Sequence, residues 1–221
     1  MKPVLAAVVA GLASLASSAA FAQQTPPQFP DMTFFVTSKG GPDGANFGGL
    51  EGADKHCQTL ATAAGAGAKT WHAYLSTQPA GATPGVNARD RIGKGPWQNV
   101  KGVVIAANVD DLHTGNKLNI ENSLVENSRM VPGRFFIGNQ HDVLTGSTPD
   151  GRAFAAGDDK TCGNWTKNGE GSAIVGHSDR LGLNDSDQAK SWNSSHATRG
   201  CSLAQLVPTG GAGLLYCFAV N

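Results

Sequence analysis

Excess charge is missing from this sequence: 17 basic residues are matched by 17 acidic ones, and charged residues make up only 15% of its 221 positions. A balanced chain has no global field to draw in nucleic acid or an anionic membrane, so neither is expected as a partner. Past the N-terminal stretch there is no apolar run long enough to span a bilayer. Close cysteine pairs are missing too. Cys57, Cys162, Cys201 and Cys217 contain no Cys-x-x-Cys, which argues against a structural zinc site built on thiolates. Catalytic signatures are also lacking. Despite 29 glycines there is no phosphate-binding loop, no Gly-x-Ser-x-Gly elbow and no His-Glu-x-x-His. Ser195-His196, Asp110-Asp111 and Asp158-Asp159 are sequence neighbours, and adjacent side chains in an extended run point opposite ways. The chain is therefore not expected to be an enzyme, and no cofactor is expected.

What is present begins with an export signal. Lys2 supplies a positive start, Val4 to Ala20 is apolar or small, and Ala20-Phe21-Ala22 is a small-x-small cleavage pattern. Residues 1–22 are read as a signal peptide, residues 23–32 as an extended lead-in, and residues 33–221 as one domain. The mature chain is expected to be secreted or periplasmic, without a transmembrane segment. In that oxidising setting four cysteines imply two disulfides, and sequence alone allows three pairings. The 29 Gly and 11 Pro indicate turns and long ordered loops in place of a helical bundle.

Local patterns sketch an α+β chain. Thr33 to Thr37 reads as a first strand. Leu50, Ala53, Cys57, Leu60, Ala61 and Ala64 recur at helical spacing, with a glycine stop at Gly65 or Gly67. Thr70 to Leu75, Val103 to Ala106, His141 to Thr145, Ala173 to Val175 and Leu214 to Val220 read as strands, the last apolar enough to be central. Asn87 to Ile92 and Val109 to His113 suggest short helical turns, and residues 114–140 receive no assignment. His141, His177 and His196 lie in the polar second half beside Asp142, Asp179 and Arg199. They would bind zinc only if the fold gathers them. Their spacing does not specify this, so they are read as surface or loop-bracing residues. Trp71 and Trp165 are read as core, while Trp192, flanked by polar residues, is left open between core and a sugar-stacking face.

The order of landmarks resembles the C-type lectin-like fold, and within it the endostatin branch, over most of the chain from Phe34. A helix carries Ala53-Asp54-Lys55-His56-Cys57-Gln58, and the strand Trp71-His72-Ala73-Tyr74-Leu75 follows. Gly146 to Arg152 precedes Thr161-Cys162-Gly163-Asn164-Trp165, and the chain closes with Gly200-Cys201-Ser202 and the strand around Cys217. Stretches such as Gly48 to Asp54 and Ser191 to His196 also look like those of bacterial exported lectin-like proteins. The resemblance implies mixed or antiparallel sheets, one or two helices, long loops, and nested disulfides Cys57–Cys217 and Cys162–Cys201. It implies a binding module for carbohydrate or extracellular glycan. The alternatives are a surface protein partner in an adhesion role and, more remotely, an unrecognised hydrolase.

Calcium-dependent members of that fold hold the ion and the sugar through an acidic or amide residue before Pro-Asn/Asp, with Trp-Asn-Asp later. Here those positions read Thr148-Pro149-Asp150 and Trp192-Asn193-Ser194. Losing a carboxylate and a long-reaching ligand weakens a site for an ion that wants six to eight oxygens. Any sugar binding is therefore expected to be calcium-independent and no metal is expected, with Asp150, Asp158 and Asn193 the only weak calcium candidates. The ligand-binding candidates are Thr148, Asp150, Arg152, Trp192, Asn193, His177 and Asp179.

Overall fold

The computed structural model describes residues 26–220, so the signal-peptide reading lies outside the described residues. The core is organised by one long strand, β8 (Gly211–Ala219), whose residues alternate between two hydrophobic clusters. Leu215, Cys217 and Ala219 face the first cluster, and Leu214, Tyr216 and Phe218 face the second. A strand buried on both faces must be apolar throughout, which is why this segment reads as an unbroken hydrophobic run.

Two short strands near the start of the domain pair antiparallel with the end of β8. In β1 (Phe34–Val36), Phe35 lies opposite Cys217; in β2 (Trp71–Ala73), Ala73 lies opposite the same Cys217. Between them runs α1 (Gly49–Ala63), which buries Ala53, Cys57, Leu60 and Ala61 against the first cluster. Residues of the lead-in dock on this helix: Phe29 N–H donates to Ala64 O at 2.7 Å, and Met32 is buried. A small ribbon of β3 (Trp97–Gln98) and β4 (Val104–Ala106) closes the second cluster, followed by α2 (Val109–Thr114), capped by Asn108. Residues 115–141 contain no helix or strand. They are held by turns and by two isolated bridges, Val36 with Val125 and Leu124 with Met130.

The second half extends the sheet away from β8. Strand β5 (Asp142–Leu144) runs parallel to β8, β6 (Ile174–His177) pairs antiparallel with β5, and β7 (His196–Ala197) pairs antiparallel with β6. Before β6 comes α3 (Cys162–Trp165), a single turn whose four residues all have φ between 48° and 68°, a left-handed turn. Outside glycine that conformation costs roughly 1–2 kcal/mol per residue. Here it is held by the Cys162 crosslink and by Trp165 Nε1–H donating to Ser76 O at 2.8 Å. After β7, α4 (Leu203–Leu206) leads into β8. The chain is thus α+β as expected, but among the described residues it has four α-helices where one or two were expected, two of them only one turn long.

Both disulfides have the nested pairing, Cys57–Cys217 and Cys162–Cys201. The first ties α1 to β8 across 160 residues, and the second braces the loop-rich second half across 39. Constraining the unfolded chain over such spans contributes about 4–5 kcal/mol each on the chain-entropy account. Among the described residues no helix is long and apolar enough to cross a membrane.

Candidate functional site

Strand register, read from β5 outward, brings three chemically active side chains to one place. Asp142 lies directly opposite His177 on β6, and Val175 lies opposite His196 on β7. Paired residues share a sheet face, and so do residues two apart, so Asp142, His177 and His196 all project from the same side. His141 joins them from the entrance to β5, its ring stacked on that of His177 at 4.3 Å and 9°. The register of β5 against β8 slips between Asp142 and Val143, a local irregularity of the kind that re-aims side chains at functional places.

Two glycines make this approach possible. A Cβ on Gly176, between Val175 and His177, would meet Trp192 O at 1.8 Å. Gly210 takes φ +101°, and a Cβ there would press on the Asn139 amide at 2.5 Å and the His141 ring at 3.0 Å.

All three imidazoles aim Nε2 at one carboxylate oxygen. Asp142 Oδ1 is 3.2 Å from His141 Nε2, 3.3 Å from His177 Nε2 and 3.5 Å from His196 Nε2. The opposite ring nitrogens are already committed. Nδ1 of His141 contacts Asp179 Oδ1 at 2.9 Å, Nδ1 of His177 contacts Ala189 O at 2.7 Å, and Nδ1 of His196 contacts Ala197 O at 3.1 Å. A carbonyl partner requires an Nδ1–H donor, so in the neutral rings the Nε2 lone pairs face Asp142. Asp142 is fully buried at its side chain, yet neither of its oxygens has a hydrogen-bond donor in line, nor does His177 Nε2 have a partner. Burial pushes the Asp142 carboxyl up, but the His177 and His196 imidazoles, when protonated, outweigh it and hold it at about 2. The carboxylate in turn raises His196, against the opposing effect of its burial. A buried carboxylate facing imidazole nitrogens is balanced either by protonated rings or by a bound cation, and the convergence of several nitrogens on one oxygen is the arrangement a cation takes.

The donor set fits a divalent transition metal. Zinc binds imidazole nitrogen and carboxylate oxygen at about 2.0–2.2 Å, which makes the edge of a tetrahedron roughly 3.3–3.5 Å. The separations of Asp142 from His141 and His177 fall close to that edge, while His196 stands outside the group of mutually close donors. The donor atoms of His141, Asp142 and His177 all lie within 4.8 Å of one another. Each histidine is also held at its second nitrogen by a carboxylate or carbonyl, the support that orients metal-binding imidazoles. Calcium, which prefers an all-oxygen shell, fits this set poorly.

This geometry corrects the reading of the histidines as surface residues, since His141 and His177 are buried and only His196 is partly open, while the bonds from His141 to Asp179 and from His177 to Ala189 O do brace loops. It also divides the candidate residues. His177 and Asp179 belong to the imidazole cluster. Thr148, Asp150 and Arg152 form a separate exposed turn satisfied from within. Thr148 Oγ1 donates to Asp150 Oδ1 at 2.6 Å, and Arg152 Nε donates to Asp150 Oδ2 at 2.9 Å. Those bonds, the one from Thr148 first, hold the exposed Asp150 carboxyl below its usual value. Trp192 is core, packed on Tyr74 and Tyr216, and so is Trp97. Asn193 is buried, with Nδ2 donating to Tyr74 Oη, Thr148 O and Pro149 O at 2.9–3.2 Å. Of the weak calcium candidates, Asp150 pairs with Arg152, Asn193 is used internally, and Asp158 is exposed with its backbone carbonyl bound by Gln78.

His141, His177 and His196 line the floor of an open cleft of about 910 Å³. Sequence reasoning passed over His141, Asp142 and His196 as site residues. The one signal in the chain was that His141 and His177 each precede an acidic residue by one or two positions. No protein-family model matches the chain, and no curated protein matches it, so the chemistry of the cleft rests on its own geometry.

Proposed function

We propose that this chain is an exported binding protein built around a zinc-type metal centre, with His141 and His177 giving Nε2, Asp142 a carboxylate oxygen, and the partly open His196 beside them. The observation that carries the reading is the Asp142 carboxylate, buried without a hydrogen bond and facing three imidazoles whose other nitrogens are pinned. Binding is favoured over turnover, because no carboxylate side chain lines the cleft and the imidazoles there are engaged at Nδ1 and turned at Nε2 toward Asp142. Export is supported by the apolar N-terminal run, by both disulfides and by the lack of a membrane-crossing helix among the described residues. Metal analysis and zinc calorimetry on the purified mature chain test the centre. One equivalent is expected, lost in His177→Ala and in Asp142→Ala. A folded wild-type chain that takes up no zinc, cobalt or nickel would overturn it.

A glycan ligand on a C-type lectin-like domain is the second reading. What favours it is the nested disulfide pair, together with a terminal strand flanked by two strands from the start of the domain. With Asn193 and Trp192 used internally, such a ligand would have to sit in the cleft and not on the Thr148 turn. A glycan array run with and without EDTA tests this. Chelator-insensitive binding that survives His177→Ala would detach it from the metal centre, and capture of a surface protein in place of any glycan would favour the adhesion role.

A further inference from the structure

Beyond the metal donors, the cleft has an uneven chemistry. Its charged side chains besides the histidines are Arg134 and Arg199, and none of its lining residues is acidic. Neither guanidinium has an ion-pair partner among the described residues; Arg134 lies 5.9 Å from the centre of the Phe135 ring. The rim is apolar and unburied: Phe135 is 81% exposed, Leu183 86% and Val207 57%. Scattered exposed apolar residues need no explanation, but three on the lip of one polar-floored cleft mark a binding surface.

The rim is also wired to the metal centre. Asp179, whose Oδ1 orients His141, accepts from Leu181 N–H at 3.0 Å with that same oxygen and from Arg134 N–H at 2.7 Å with Oδ2. One carboxylate therefore fixes a metal ligand together with the two loops that carry Phe135 and Leu183. Gly133 allows the first loop to pass so close, since a Cβ there would lie 2.9 Å from Asp179 Oδ2.

Taking the metal centre as given, we propose that the cleft binds a single-chain aliphatic carboxylate. Its head takes the open position on the metal beside partly open His196, with Arg134 and Arg199 supplying positive charge, and its chain lies along Phe135, Leu183 and Val207. A divalent ion with one coordinating carboxylate and two free guanidiniums leaves positive charge that favours an anion. Three protein donors leave a fourth position open on zinc. The 910 Å³ volume suits a small molecule and not a macromolecular segment.

The test uses the mature chain loaded with cobalt(II), whose visible spectrum reports a change of coordination. Metal uptake is measured first, so that failure of the centre is separated from failure of the ligand. With cobalt bound, octanoate is expected to shift the spectrum and to bind at least tenfold more tightly than acetate, while octylamine and 1-octanol produce no shift. Arg199→Met and Leu183→Ser are each expected to weaken octanoate severalfold and leave cobalt affinity unchanged. The proposal falls if octanoate and acetate bind alike, if octanol competes as well as octanoate, or if the metal-free chain binds octanoate equally tightly. A chain that binds no metal removes both the centre and this ligand.

Discussion

Two polar regions of this molecule look alike in the sequence and differ in the fold. Around the Thr148 turn, no buried side-chain donor or acceptor among the described residues is left without a partner. Asn193 donates to Tyr74 Oη, Tyr74 meets His113 Nε2 at 2.8 Å, and His113 Nδ1 meets Val109 O at 2.7 Å. Burial lowers His113, keeping it the neutral acceptor this chain of bonds needs. In the β5–β6–β7 cleft the outer nitrogens are equally well held, but the inner face is left with a bare carboxylate and lone pairs. A satisfied network is a brace; an organised but unsatisfied one is a place for a ligand. The difference lies in leftover bonding capacity and not in residue type.

Metal affinity should separate the regions most sharply. His177→Ala is expected to lower zinc affinity by roughly 100-fold or more, measured by chelator competition, whereas Asn193→Ala should leave it unchanged. Asp179→Asn touches no metal but loosens His141, so a loss of about 10–100-fold is expected by the same assay. Stability should invert the pattern. In the metal-free chain, at a pH high enough that His196, raised by this carboxylate, is neutral as well, Asp142→Asn is expected to stabilise by about 1–3 kcal/mol in urea unfolding. It removes an unpaired buried charge and offers an amide donor to the imidazole lone pairs. Asn193→Ala should instead destabilise by about 1–3 kcal/mol, because Tyr74 Oη and two carbonyls lose their donor. The smallest effect belongs to Asp150→Ala on the exposed turn, within about 0.5 kcal/mol and with no change in zinc affinity. If Asn193→Ala lost zinc as His177→Ala does, the two regions would be one site and the contrast would fail.

Much of the frame was legible in the chain. The helix at Leu50 to Ala64 declared itself by spacing, and the first strand and the terminal strand by their apolar runs. The short partners escaped. Trp97–Gln98 and His196–Ala197 are two-residue strands with no period to read, and Cys162–Trp165 adopts a hand that no propensity scale anticipates outside glycine. Trp192, left open between core and a sugar-stacking face, could not be placed from the sequence because polar neighbours along the chain say nothing about a ring packed between Tyr74 and Tyr216.

The sequence by itself determined an α+β chain with a central terminal strand and cysteines enough for two crosslinks, because these follow from local periodicity and composition. Only the tertiary structure decided that His141, Asp142, His177 and His196 share one point. Their separations along the chain run to 55 residues between His141 and His196, and no local rule carries information across that distance. Antiparallel pairing does, because register places residues from three strands face to face and alternation turns them to one side.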